Sequence, residues 1–319
     1  MKKYNKVVLT LGMLSFLILI IIGVYIYKKP KISNDQWWIS AINSDSIWRI
    51  TEGDESVLIG IIDSGIKIDS EYLDDSIYVN KGEVPNNNID DDNNGYIDDC
   101  NGWNFYDGDN EVYKTYSADY HGTMISGIIS SNHINNFTYG IAPNVTIVPL
   151  KCFQGNSGDV DDVADAIKYG YSLGVRIFNC SWSTSTYSEV LYDTISHFDD
   201  AVFICAYSNL DGSKSNIYPA TFDLENVISV GGFNKDGSIY DDQSENSYID
   251  IYAPASEIEC LLPSDVFLSS EGTSLATAFV TGGVALYYSM NYDVDIEALK
   301  RHITDASGIL DLTEIGGSN

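Results

Sequence analysis

Basic residues are scarce: 17 Lys and Arg stand against 46 Asp and Glu, a formal net charge of -29. A surface of that sign repels nucleic acid and anionic headgroups, and it suits cationic peptides or divalent ions. Most of these charges need no partner, because an acidic surface also keeps a domain soluble. Cysteine is scarce as well. The five cysteines are an odd number and none sits in a C-x-x-C pair, which argues against a dense disulfide framework or a thiolate zinc centre. Cys180 and Cys205 lie within apolar runs and read as buried thiols acting as small hydrophobes, with one disulfide elsewhere left open. There is no Pro-rich linker, internal repeat or low-complexity segment to divide the chain. About 280 residues remain after an apolar N-terminal stretch, enough for a single large core, and one α/β domain is expected.

That stretch, residues 7–27, reads VVLTLGMLSFLILIIIGVYIY. About 21 residues without a charge can cross a hydrocarbon core as a helix. Lys2, Lys3 and Lys6 precede it in a short basic segment over residues 1–6, and Lys28, Lys29 and Lys31 follow. No small-residue cleavage pattern is present, so an uncleaved transmembrane anchor is expected, then a linker over 28–36 and the folded domain over 37–319. Lysines on both flanks leave only a slight positive-inside bias. The expectation is a single-pass protein of the cell membrane with its domain outside the cytoplasm.

Short apolar runs rich in β-branched residues mark buried strands at 57–62, 145–150, 175–179, 202–206 and 227–230. Helical patterns alternate with them. Residues 160–173 begin after Asp159 and stop at Gly174. Residues 274–290 form a long apolar helix whose Gly282-Gly283 pair is expected to pack closely against the sheet. This alternation predicts a three-layer α/β sandwich, a mainly parallel central sheet flanked by helices. In such folds sites lie at the carboxyl ends of strands.

Three local sequences carry chemistry, in the order Asp, His, Ser. Ile61-Ile62-Asp63-Ser64-Gly65 ends a buried strand. His121-Gly122-Thr123 is read as opening a helix, and Gly272-Thr273-Ser274 opens the long apolar helix. A serine hydroxyl is a poor nucleophile until a base removes its proton. An imidazole can take that proton and return it to the leaving amine, and a carboxylate fixes the imidazole tautomer and stabilises its charged form. A serine at a helix N-terminus also has free backbone N–H groups beside the developing oxyanion.

With Gly140-Ile-Ala-Pro143, Tyr218-Pro219, Val230-Gly231-Gly232 and Ala253-Pro254 in the same order, these motifs resemble the subtilisin-like serine proteases over residues 36–308. The resemblance implies a serine-type endopeptidase with Asp63, His121 and Ser274 as the triad and Asn209 as an oxyanion donor. It implies that Ser181-Trp182-Ser183 and the stretch containing Ser157 and Gly158 flank an extended peptide substrate. Ser183, Ser208, Ala278 and Met124 depart from the family pattern. Tyr207, Ser208 and Ser183 put the pocket's shape in doubt, the changes at Ser183, Ser208 and Ala278 leave open a catalytically silent peptide-binding module, and an esterase on the same fold is a third reading. The short span before the domain holds no room for a long pro-segment, so folding without one is expected.

Residues 88–99 (NIDDDNNGYIDD) begin like a calcium loop, with Asp90, Asp92 and Asn94 alternating and Gly95 at the turn. Asn101 stands where the last Glu of such a loop is expected, and Asp98 and Asp99 are its candidate substitutes. A structural calcium is expected, against the reading of a metal-free Asp/Asn turn. His133, His197 and His302 have no motif around them and read as surface or packing residues. Trp37, Trp38 and Trp48 fit either a membrane interface or packing on the domain.

Overall fold

The computed structural model describes residues 36–133, 140–207, 217–240, 248–291, 294–303 and 308–316. The expected anchor over 7–27, Ser208 and Asn209 lie outside the described residues, within which no helix is long and apolar enough to cross a membrane. Residues 36–319 form one compact unit.

Seven parallel strands make the central sheet: β1 (Leu58–Asp63), β2 (Trp103–Asn104), β3 (Thr146–Lys151), β6 (Ile177–Cys180), β7 (Val202–Ala206), β8 (Val227–Phe233) and β9 (Ile251–Pro254). Their spatial order is β2-β3-β1-β6-β7-β8-β9. Two hairpins stand apart. β4 (Phe153–Gln154) pairs with β5 (Ser157–Gly158), and β10 (Ile258–Leu261) pairs with β11 (Phe267–Ser270).

The inner strands of the sheet are largely apolar because both faces are covered. In β7, Val202 and Ile204 enter one core while Phe203 and Cys205 enter the other. The first core lies under α3 (Tyr116–Ser130) and α6 (Thr273–Met290), the second under α4 (Val160–Ser172) and α5 (Glu189–His197). This is the three-layer arrangement that the alternation of patterns predicts. Asp159 caps α4 by accepting from the Asp161 N–H, and Gly174 ends it at φ +101°, a left-handed turn that glycine takes without strain.

Two expectations are corrected. His121 does not open its helix: α3 starts at Tyr116, so the imidazole projects from the second turn. The 116–120 stretch carries two tyrosines and no clear apolar period, which hid the first turn. The Gly282-Gly283 pair does not face the sheet. A Cβ on Gly282 would lie 2.6 Å from Ile141 Cβ, and one on Gly283 would lie 2.9 Å from Leu312 in the C-terminal helix α8 (Leu312–Gly316). The pair lets α6 accept the loop after α3 on one side and the chain's last helix on the other.

The N-terminal tryptophans pack on the domain. Trp38, in α1 (Trp37–Ala41), is buried against Phe279, Trp37 donates its indole N–H to Ser256 O, and Trp48, just beyond α2 (Ser44–Ile47), donates to Ile141 O. All five cysteines are free, and four of them are buried. Burial pushes the thiols of Cys152, Cys205 and Cys260 above their ordinary range, so they stay protonated hydrophobes.

Candidate active site

Asp63 is the last residue of β1, the strand at which the chain order of the sheet reverses, with β3 on one side and β6 on the other. A parallel α/β sheet opens its crevice at such carboxyl ends. The Asp63 carboxylate is buried and accepts from the Ser64 N–H at 2.6 Å. His121 Nδ1 lies 2.9 Å from each Asp63 oxygen. The carboxylate therefore fixes the tautomer with the proton on Nδ1, which leaves Nε2 as the basic atom. Burial pulls the His121 pKa down, but the Asp63 charge and hydrogen bond more than offset it, and the net shift is upward.

Close backbone contact brings the two residues together. A Cβ on Gly122 would sit 2.4 Å from Gly65 O, so only glycine lets α3 press its second turn onto the turn after Asp63. Ser274 is the second residue of α6, entered through Gly272 at φ +142°. Its hydroxyl donates to Ser181 O at 2.9 Å, and the Ser181 hydroxyl donates to Ser274 O at 2.9 Å. Behind this exchange Asn179 donates to Ser181 Oγ and accepts from Thr281 Oγ1, each at 2.9 Å. The β6 end and the first turns of α6 are thus tied by a buried, satisfied polar network.

Asp63, His121 and Ser274 line one cleft of about 550 Å³. Trp182, Ser183 and Phe153 form its walls, with the Phe153 and Trp182 rings 5.4 Å apart. Of the expected substrate-flanking residues, Ser181, Trp182, Ser183 and Gly158 line this cleft, whereas Ser157 is exposed beside it. A smaller recess of about 220 Å³ on the far side of Ser274 is bounded by Ser181, Ser183, Ala206, Tyr240 and Gly272.

The acidic loop is a second centre. Carboxylate oxygens of Glu83, Asp90 and Asp92 lie within 4.8 Å of one another. Oxygen-only donors of this kind fit a hard cation such as calcium. Asn94 orders the loop, donating its N–H to Asp90 and Asp92. Asp98 and Asp99 do not join the three. Asp98 accepts the N–H groups of Asn87 and Asn88, and Asp99 accepts from Tyr169 Oη at 2.6 Å and from the Asn80 amide. Sequence reasoning missed Glu83, which lies upstream of the alternating motif. Its only sequence signal is a lone acid after Lys81-Gly82.

The chain belongs to the Subtilase family, whose sequence model matches residues 54–316. Halolysin of Haloferax mediterranei is 26% identical over 289 residues, covering 89% of this chain and 51% of halolysin. A thermophilic serine proteinase of a Bacillus species is 27% identical over 77% of this chain and 55% of that protein. Subtilisin-like protease 1 of Plasmodium berghei is 28% identical over 84% of this chain and 49% of its own length. The chain therefore spans about half the length of the curated relatives it matches. Among solved structures, MycP1 without its N-terminal propeptide aligns at a TM-score of 0.67 and 17% identity, covering 88% of this chain and 96% of that one. The subtilase cytotoxin SubAB aligns at 0.67 and 20% identity, covering 88% and 95%. Likeness at that identity shows the fold.

Proposed function

We propose that this protein is a membrane-tethered serine endopeptidase that hydrolyses peptide bonds through an acyl-enzyme, with Asp63, His121 and Ser274 as its triad. The observation that carries the reading is the Asp63–His121 pair at 2.9 Å in the cleft that Ser274 lines. In the free protein the Ser274 hydroxyl rests on Ser181 O. An extended substrate that pairs its backbone N–H with that carbonyl releases the hydroxyl to His121 Nε2. Ser274 Oγ then attacks the scissile carbonyl as its proton passes to Nε2. His121 gives the proton to the leaving amine, and water repeats the sequence on the acyl ester. The negative oxygen of the tetrahedral intermediate falls to N–H donors at the start of α6 and to the amide of Asn209, a role that rests on sequence.

The test is hydrolysis of a peptide library by the full chain in detergent. Cleavage lost in Ser274→Ala supports the reading. Binding without cleavage by the unaltered chain points instead to a silent peptide-binding module. Cleavage of esters but not peptides points to an esterase.

The anchor over 7–27 and an extracytoplasmic domain belong to the same proposal, supported by the charge-free run and its lysine flanks. The protein should stay with membranes through an alkaline carbonate wash, and release into the supernatant would refute the anchor. Processing of an exported peptide is the role such a tethered enzyme fits. We further propose that calcium sits among Glu83, Asp90 and Asp92 and braces the loop between Asp63 and His121.

A further inference from the structure

Lys151 ends β3 beside Asp63 in the parallel register and is 1% exposed. A buried ammonium must satisfy three protons, and each of these goes to a different segment. Nζ donates to Asp119 Oδ1 at 2.7 Å, to Phe153 O at 2.7 Å and to Ser64 O. Asp119 is fully buried, two residues before His121 in α3. Its other oxygen accepts the backbone N–H groups of Lys114 at 2.6 Å and Thr115 at 2.8 Å, where α3 begins.

One charge pair thus joins the turn after Asp63, the start of the helix that carries His121, and the Phe153 backbone of the cleft wall. Neither side chain lines the cleft, so neither touches substrate. The region is packed to its limit, since a Cβ on Gly65 would lie 3.1 Å from Asp119 Cβ. A buried ion pair is a poor source of stability, because desolvation consumes most of its attraction.

We propose that Lys151 and Asp119 are positioning residues that hold His121 against Asp63. The inference rests on the serine-hydrolase reading for its catalytic consequence but has a readout independent of it. The experiment compares the full chain with Lys151→Met and with Lys151→Met/Asp119→Asn. The double variant removes the pair without leaving an unpartnered buried charge, and Asn keeps an acceptor for the helix amides. Four quantities are read: the downfield proton resonance of His121 Nδ1–H, kcat and KM on a peptide substrate, and Tm.

The expected double variant is folded, with its Nδ1–H resonance shifted or broadened. Its kcat falls about 100-fold while KM changes less than about twofold, the signature of misplaced catalytic groups. Where Tm falls, spectra and rates are taken at a temperature at which circular dichroism shows both proteins folded. A double variant with the parent resonance and kcat overturns the proposal, and so does one that folds at no temperature, since the pair is then only structural. If the unaltered chain hydrolyses no peptide yet its Nδ1–H resonance moves in the variants, the positioning pair stands and the protease reading falls.

Discussion

Asp63 holds the pKa of its neighbour His121 above the ordinary value, and under the proposed function that shift predicts a change in rate with pH. Burial opposes the charged imidazole, and the Asp63 carboxylate outweighs burial, so His121 titrates above its ordinary 6.5. The neutral base therefore forms only at higher pH, and kcat/KM should rise along an acidic limb placed above 6.5. Asp63→Asn removes the charge. The limb should then move down and kcat should drop about 10⁴-fold, as measured from pH–rate profiles of both proteins. A limb that stays in place would show that Asp63 does not govern His121. The same shift affects folding. Protonated His121 contributes stability in full below about pH 6.5, and that contribution is lost as pH rises through the folded value. At this scale the motifs D-S-G, H-G-T and G-T-S named residues that line one cleft, and in the first two close backbone contact at Gly65 and Gly122 requires the glycine. Lys151 and Asp119 were silent in it. A single lysine at the end of an apolar run and a single acid before a histidine carry no pattern until the fold closes β3 onto α3.

Among elements, five of the seven central strands and the helices α4 and α6 were legible, because burial on both faces makes a strand largely apolar and an N-cap acid and a stop glycine bound α4, whereas β2, β9 and α5 were not read. The errors fall where tertiary contact overrides local pattern. The first turn of α3 has no apolar period. Gly282 and Gly283 serve Ile141 and Leu312, partners distant in sequence from α6. The acidic loop was half legible. The alternation of Asp90, Asp92 and Asn94 marked an acidic turn, but Glu83 joins its carboxylate cluster from upstream, while Asp98 and Asp99 lie outside that cluster and accept from loop amides and Tyr169. Glu83 is buried and accepts the N–H groups of Asp91, Asp92 and Asp98, so it anchors the loop even without metal. Calcium at a hundredfold excess over its Kd should stabilise the fold by about 2.7 kcal/mol, raising Tm by about 5 °C or more in a domain of this size. Differential scanning calorimetry with calcium and with chelator checks this. Equal midpoints would remove the metal, and Glu83→Gln should shrink the difference.

For the whole molecule, a wholly parallel central sheet with two cores gathers residues from three distant stretches of chain near the carboxyl end of β1. Asp63 arrives on β1, His121 on α3 and Ser274 on α6. The cleft is walled by the Phe153 and Trp182 rings and the polar groups of β6 and α6, and Asp63 and Asp159 are the two acids that line it. Membership of the Subtilase family fits this architecture, and the activity proposed here depends on Ser274 acting as a nucleophile driven by His121. The most direct measurement is reaction of the full chain with a fluorophosphonate, with the adduct mapped by mass spectrometry. The account predicts one adduct, on Ser274, formed faster as pH rises through the His121 limb and abolished in His121→Ala. An unlabelled Ser274, or labelling at the same rate without His121, would contradict it.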